Sequence, residues 1–370
     1  MSNEESAIQA QTAGNIKCNG CGANLTFEPG TATLACQYCC AKNEIKQETT
    51  YVEEIDFEKF LSESQPEESL HEINIVNCVN CGASTTLKPD VTSDSCPFCD
   101  TPLIVKNATS SKLIKPKYLL PFKIERKKAG EDYTKWLGGL WFAPNDLKQN
   151  AQRTMDKLVG VYLPFWTYDS DTSTDYTGER GTYYYVTETY TNSKGETETR
   201  EVQRIAWSFA SGNVDKNFDD ILVCASPSLP QKLSSALEPW DLEALAGFDE
   251  RYLSGFKAES YRVDLKTGFE TAKNIMKPEI ESKIKGDIGG DLQRVSSMST
   301  TYDHITFKHI LLPVWISAYK YNEKVYHFMI NARTGEVQGE RPYSVIKIAL
   351  TVIAGLAVIA AGVWFYMRMK

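Results

Sequence analysis

One four-cysteine frame occurs twice in this chain. Cys18-x2-Cys21 is followed after fourteen residues by Cys36-x2-Cys39, and sixty residues on Cys78-x2-Cys81 is followed after fourteen by Cys96-x2-Cys99. The same shift superposes Gly22 on Gly82, Ala23 on Ala83, Thr26 on Thr86 and Pro29 on Pro89, so a small unit is duplicated. Two residues between cysteines let both thiolates reach one ion from a tight turn. Fourteen residues allow a hairpin that returns the second pair to the first. Four thiolates around a d10 ion form a closed tetrahedral site with no position for water, so such a site is structural. Units this small bury too little apolar surface to fold alone. Zinc supplies about 10–16 kcal/mol to comparable peptides at neutral pH. The expectation is two structural zinc ions, held by Cys18, Cys21, Cys36 and Cys39 and by Cys78, Cys81, Cys96 and Cys99.

A redox CxxC pair is a rival for one half-frame, but it does not explain four pairs in two matching frames. An iron–sulfur cluster is a second rival, which colour would reveal. Cys40 stands directly after Cys39, where a glycine is common in such knuckles, and reads as a spectator thiol. Cys224, in the apolar run DILVCAS, reads as core.

The two units resemble zinc ribbons of the transcription-factor-IIB type, which also occur in the zinc region of the primosomal helicase (primosomal protein N′, replication factor Y). The resemblance covers about 60 residues and is specific for fold rather than function. A GxxxxGK[ST] loop to cradle ATP is absent from the sequence, which excludes a helicase reading. The ribbons are also close to neutral. Residues 16–47 set Lys17, Lys42 and Lys46 against Glu28 and Glu44, and residues 76–106 set Lys88 and Lys106 against Asp90, Asp94 and Asp100. A ribbon that reads nucleic acid should carry a basic face with aromatics. Each zinc with four thiolates adds a formal −2.

Charge elsewhere points the same way. Net charge is −8, and without the three basic residues of the tail the remainder carries −11, which repels phosphate backbones. Residues 1–15 are polar and acidic with no secretory signal, and read as a disordered leader. The ribbons span 16–47 and 76–108, separated by an acidic linker, 48–75, read as a solvated tether in which VEEIDFEKFL forms a short helix. Residues 111–128 form a basic run that faces either solvent or anionic lipid.

Residues 348–367 carry no charge. A helix of that length spans about 30 Å, the hydrocarbon thickness of a bilayer. Trp364, Phe365 and Tyr366 stand at one end and Tyr343 at the other, where amphipathic rings favour the interface. The transmembrane helix, 345–367, is expected to act as a single-pass tail anchor in the cell membrane. Basic residues flank both ends, so the cytoplasmic placing of the rest rests on the reduced cysteines and the missing signal.

Residues 112–343 are expected to form an antiparallel-β-rich α+β body, giving an α+β chain of two tandem zinc ribbons, body and anchor. A motif recurs in YLLPF (118–122), VYLPFW (161–166) and ILLPVW (310–315). Its proline cannot donate to a ladder, so it is expected at an edge, a strand start or a bulge. Repeated core strands are the plain reading, and a peptide groove lined by Trp166 and Trp315 the sharper one. Hairpins are expected around 192–195 and 333–335, and helices over 146–158, over 230–245 with a break at Pro239, and over 265–285 interrupted near Pro278. HExxH, GxSxG and GxGxxG are absent, so no catalytic constellation is legible. His304 and His309 flank an apolar strand and read as sheet-surface or core residues.

The order of ribbons, LPxW-bearing body and terminal apolar helix resembles bacterial zinc-ribbon membrane proteins often mislabelled as primosomal helicases. Some of these are encoded beside phage-shock protein A relatives and flotillin-like proteins. That resemblance implies a non-enzymatic membrane adaptor that docks cytoplasmic proteins during envelope stress, among them phage-shock protein A-like or flotillin-like proteins or a second zinc-ribbon membrane protein. The alternatives are a membrane-tethered nucleic-acid module and an enzyme housed in the body.

Overall fold

The computed structural model describes residues 16–45, 52–62, 70–80, 83–86, 93–98, 101–104, 108–145, 147, 155, 157–228, 231–322 and 324–369. Cys81, Cys99, the leader and most of the helix expected over 146–158 lie outside the described residues.

Ribbon 1 is a three-stranded antiparallel sheet of β1 (Leu25–Phe27), β2 (Thr33–Cys36) and β3 (Lys42–Glu44). After it, β4 (Ile55–Asp56) and α1 (Phe57–Ser62) cross the segment expected to be a tether. The short helix is present, but the segment is bound to the body: β4 pairs with a body strand, Phe307 against Ile55, and Phe57 is buried. Two aromatics and Ile55 in an acidic segment supply enough apolar surface to hold it there.

Ribbon 2 is built from β5 (Leu70–Asn77), β6 (Ser84–Thr86), β7 (Ser93–Ser95), β8 (Pro102–Ile104) and β9 (Ala108–Ile114). The duplication persists in register. Thr33, Leu34 and Ala35 face Glu44, Asn43 and Lys42, and Ser93, Asp94 and Ser95 face Ile104, Leu103 and Pro102, each pair shifted by sixty.

The body is one large sheet. Its strands are β10 (Tyr118–Leu119), β11 (Val159–Thr191), β12 (Thr197–Cys224), β13 (Ala246–Gly247), β14 (Lys257–Ala258), β15 (Leu292–Tyr321), β16 (Lys324–Asn331) and β17 (Val337–Gly339), with helices α2 (Arg126–Gly139), α3 (Gln231–Ser235) and α4 (Leu265–Ile288). The main order is β12-β11-β15-β10-β13. Both expected hairpins form. α3 covers only the start of the helix expected over 230–245, and a single 3-10 turn follows at Leu242–Ala244.

Strand β11 passes through three environments that its sequence dictates. Residues 161–168, VYLPFWTY, are buried on both faces, as a continuous apolar run requires. From Ser170 to Gly178 every second residue is buried, so one face is covered. From 182 on, past the last pair with β15 at Gly181 and Leu292, the β11–β12 hairpin continues alone as a largely exposed two-stranded arm.

The covering element of the second zone is α4. Leu265, Phe269, Ala272, Met276, Ile280, Ile284 and Ile288 form its buried stripe, and Asp264 caps its first turn by accepting the Thr267 N–H at 3.0 Å. The interruption expected near Pro278 does not occur. Pro278 lies on the exposed side, and burial of Met276 and Ile280 on either side of it carries the helix through.

The expectation that the motif prolines stand at an edge, a strand start or a bulge is corrected for two of the three. Pro164 and Pro313 sit inside β11 and β15, opposite Leu311 and Tyr162. Each stands where the neighbour on the far side changes. Beside Pro164, β11 exchanges β14 for β12, and the Pro164 carbonyl accepts the Ala225 N–H at 2.9 Å. Beside Pro313, β15 exchanges β10 for β16, and the Pro313 carbonyl accepts the Ala332 N–H at 3.1 Å. At such a junction no ladder bond is asked of the missing N–H. The three motifs thereby lie side by side at the centre of the sheet. The groove reading fails as well: Trp166 and Trp315 are buried, and their Nε1 groups donate to the carbonyls of Val263 and Ile124 at 2.9 and 2.8 Å.

Candidate metal centre and membrane anchor

The ribbon-1 cysteines converge. The sulfurs of Cys18, Cys21, Cys36 and Cys39 all lie within 4.8 Å of one another, with Cys18–Cys39 at 3.4 Å and Cys21–Cys36 at 3.5 Å. A zinc tetrahedron with bonds of about 2.3 Å has sulfur–sulfur edges of about 3.8 Å. Local backbone geometry favours thiolates. The N–H groups of Cys21 and Gly20 hold the Cys18 thiol below its ordinary value, and those of Cys39 and Tyr38 bring Cys36 down to about 6. At Cys39 the Ala41 N–H acts in the same direction. The neighbouring sulfurs of Cys18, Cys36 and Cys21 outweigh it and push the thiol up to about 12. Four sulfurs this close cannot all be anions without a cation among them, and the cluster fits one zinc ion.

The knuckle is a repeated hydrogen-bond pattern. The N–H of Cys18 donates to Ala23 O (2.7 Å), Cys36 to Ala41 O (2.9 Å), Cys78 to Ala83 O (2.8 Å) and Cys96 to Thr101 O (2.9 Å). Ribbon 2 therefore repeats the backbone frame at its described residues, with Cys78 and Cys96 buried as Cys18 and Cys36 are. In ribbon 1 the chain leaves each knuckle through a left-handed residue, Gly22 at φ 71° and Cys40 at φ 58°. That conformation explains why glycine suits the place Cys40 occupies. Cys40 is exposed and outside the four-sulfur cluster.

The ribbons sit on opposite faces of the body sheet. Ribbon 1 packs Leu25, Phe27 and Leu34 with α2 residues Ala129, Tyr133 and Leu137 over Tyr162 and Trp315. Ribbon 2 packs Val76, Phe98 and Leu103 over Val161, Leu163, Ile310 and Leu312, which point the other way. One segment, 252–260, holds both. Ser254 Oγ donates to Leu25 O (2.6 Å), the Phe27 N–H donates to Ser254 O (2.9 Å), and Tyr252 meets the Phe27 ring at 5.1 Å. On the other side Lys257 reaches Ser95 O (2.7 Å) and Asp94 (3.0 Å), and the Ser260 N–H donates to Ser84 O (3.3 Å).

Carboxylates of Glu54, Asp169 and Asp219 also come within 4.8 Å. Lys308, 3% exposed, occupies this neighbourhood, with Asp220 at 2.7 Å, Glu54 at 3.1 Å and Asp169 at 3.6 Å. Burial works against its charge, but these carboxylates outweigh that and hold its pKa above the ordinary value. Burial pushes Asp169 up to about 6. The network lies where β12 and β15 each insert an extra residue beside β11, at bulges between the doubly buried stretch of β11 and the stretch that α4 covers. Lys308 offsets part of the acidic charge of this network, which had no local signal in the sequence, since its members come from distant segments of the chain.

Cys224 is packed as expected, its thiol pushed up to about 12 by burial. His304 lies on the surface and His309 in the core. The basic run is engaged within the chain at several points: Lys117 pairs with Glu53, Lys128 with Asp132, and Lys115 lies over the Phe248 ring.

The last helix, α5 (Val345–Met369), is long and apolar enough to cross a membrane, and its spanning window is not buried against the body. It fits a single-pass anchor.

No family model matches the chain, and no solved structure does. The chain is similar to the uncharacterized protein YdjG of Bacillus subtilis (strain 168), 27% identical over 346 residues, which cover 90% of this chain and 92% of that protein. The likeness is therefore not confined to the cysteine frames.

Proposed function

We propose that this chain is a membrane-anchored adaptor. Two structural zinc ions, one on Cys18, Cys21, Cys36 and Cys39 and one on Cys78, Cys81, Cys96 and Cys99, set the ribbons; α5 holds the assembly at the cytoplasmic face of the cell membrane; ribbon 1 docks a cytoplasmic protein. The envelope-stress setting is the one the family resemblance implies.

The observation that supports this reading is an asymmetry between the copies. Tyr38, in the second knuckle of ribbon 1, is 82% exposed, whereas Phe98, sixty residues on, is 1% exposed. Ribbon 2 uses that knuckle to grip the sheet, and ribbon 1 presents its own to solvent. An exposed tyrosine on a metal-stiffened turn loses little entropy on binding and offers both apolar area and a hydroxyl. Because the ribbons are fixed to the sheet, this surface is presented in one orientation, and confinement to the bilayer raises the effective concentration of partners.

The test is recovery of protein partners from detergent-solubilised membranes by full-length protein and by Tyr38→Ala. The proposal expects a specific partner with the wild type and its loss with the variant, both remaining in the membrane fraction. Equal recovery, or recovery of nucleic acid in place of protein, contradicts it.

A further inference from the structure

The root of α5 is fastened to the body. Lys347 Nζ donates to the carbonyls of Trp141 (3.2 Å) and Ala143 (2.8 Å) and to Asn145 Oδ1 (2.7 Å), and the Ser344 N–H donates to Phe142 O (2.8 Å). An ammonium has three protons, and all three are engaged. The loop 140–145 therefore lies at the depth of the first turn of α5. The uncharged stretch starts at Ile348, so with α5 in a bilayer that depth is the headgroup boundary. Trp141 is 74% exposed there, although it belongs to a residue type usually covered in water-soluble surroundings.

Beside this loop is a groove of about 450 Å³ lined by Trp136, Lys324, Tyr326, Glu340, Arg341 and Tyr343 among others. The Arg341 guanidinium lies over the Tyr343 ring at 5.4 Å, and Lys324 over the Tyr326 ring at 5.1 Å. Among the described residues neither cation has a carboxylate partner, since Glu340 is directed to His327 at 3.8 Å. Two cations backed by amphipathic rings line one groove, and Arg341 stands just before the membrane-crossing helix; they match an anionic headgroup on one side and the interface on the other.

We infer that this groove is a seat for an anionic phospholipid of the bilayer that α5 crosses, with the lipid phosphate between Arg341 and Lys324 and Trp141 inserted among the headgroups. The inference rests on the membrane-anchor reading of α5. Bound lipid and the Lys347 clamp together fix the tilt of the body, and with it the direction in which Tyr38 is presented.

The experiment separates the two. Alkaline carbonate extraction of membranes carrying the full-length protein tests the anchor: the chain stays with the membrane, and release would remove anchor and seat together. The same protein is then equilibrated with equal amounts of phosphatidylglycerol and phosphatidylcholine, and the co-purifying lipid is counted by native mass spectrometry. Preference for phosphatidylglycerol is expected, falling about tenfold or more in Arg341→Gln/Lys324→Gln. Equal retention of both lipids by carbonate-resistant wild type, or an unchanged preference in the double variant, overturns the seat. Independently, in vesicles of lipid brominated near the ester carbonyls, the fluorescence lost between wild type and Trp141→Phe is expected to be quenched, and an unquenched difference overturns the placing of Trp141.

Discussion

Tyr38 and Phe98 hold the same position in two copies of one unit, yet the first faces solvent and the second is enclosed between ribbon 2 and the sheet. Phe98→Ala should destabilise the protein by about 3 kcal/mol or more through the cavity it leaves. Tyr38→Ala should change stability by no more than about 0.5 kcal/mol. Denaturant unfolding of the full chain in detergent measures both, and equal costs would refute the division of labour between the ribbons.

Cys40 and Gly22 are counterparts within ribbon 1, and their N–H groups donate to Cys36 O and Cys18 O at 3.0 and 2.8 Å. Cys40 holds φ 58° with a side chain attached. Cys40→Gly should therefore stabilise by about 1 kcal/mol, with zinc content unchanged. A loss of zinc in this variant would show Cys40 to be a ligand.

Lys308 is the cation among the carboxylates of Glu54, Asp169 and Asp220, beside the bulges of β12 and β15. Lys308→Met leaves the largely covered Asp169 and the half-buried Asp220 without their cation and should cost about 1–3 kcal/mol. Hydrogen exchange should quicken first around residues 169–172 and 218–221, where the bulges lie. An effect spread evenly over the sheet would argue against a local role.

His309 is buried against Trp166 and Tyr261, its Nδ1 bonded to Ile114 O at 3.0 Å, and burial lowers its pKa to about 4. The unfolded chain takes up a proton near pH 6.5, while the folded chain resists until about 4. Stability from this group is therefore complete above pH 6.5 and declines as pH falls toward 4, by about 3 kcal/mol in total. The difference in unfolding free energy between wild type and His309→Phe, followed from pH 7 to 4.5, should shrink accordingly. Thiolate protonation is common to both proteins and cancels.

The duplicated unit was legible because its cysteines keep one fixed spacing, and the sixty-residue shift survives in register and hydrogen bonds alike. It also made the three zones of β11 legible, since a run of VYLPFW and the Ser/Thr alternation after it demand different surroundings. The prolines were misplaced because their tolerance depends on which strand lies beyond, and that is decided by pairings with β14, β12, β10 and β16 from distant parts of the chain. The tether was misread because charge in residues 48–75 masks Ile55, Phe57 and Phe60, which bind the sheet. The clamp from Lys347 to Trp141 spans 206 residues and has no local signal.

Zinc content tests the central claim most directly. Full-length protein purified without chelator should contain two zinc ions per chain, falling to one in Cys36→Ser and to one in Cys96→Ser. Protein that is folded, as judged by a cooperative unfolding transition, and contains no zinc would contradict the account.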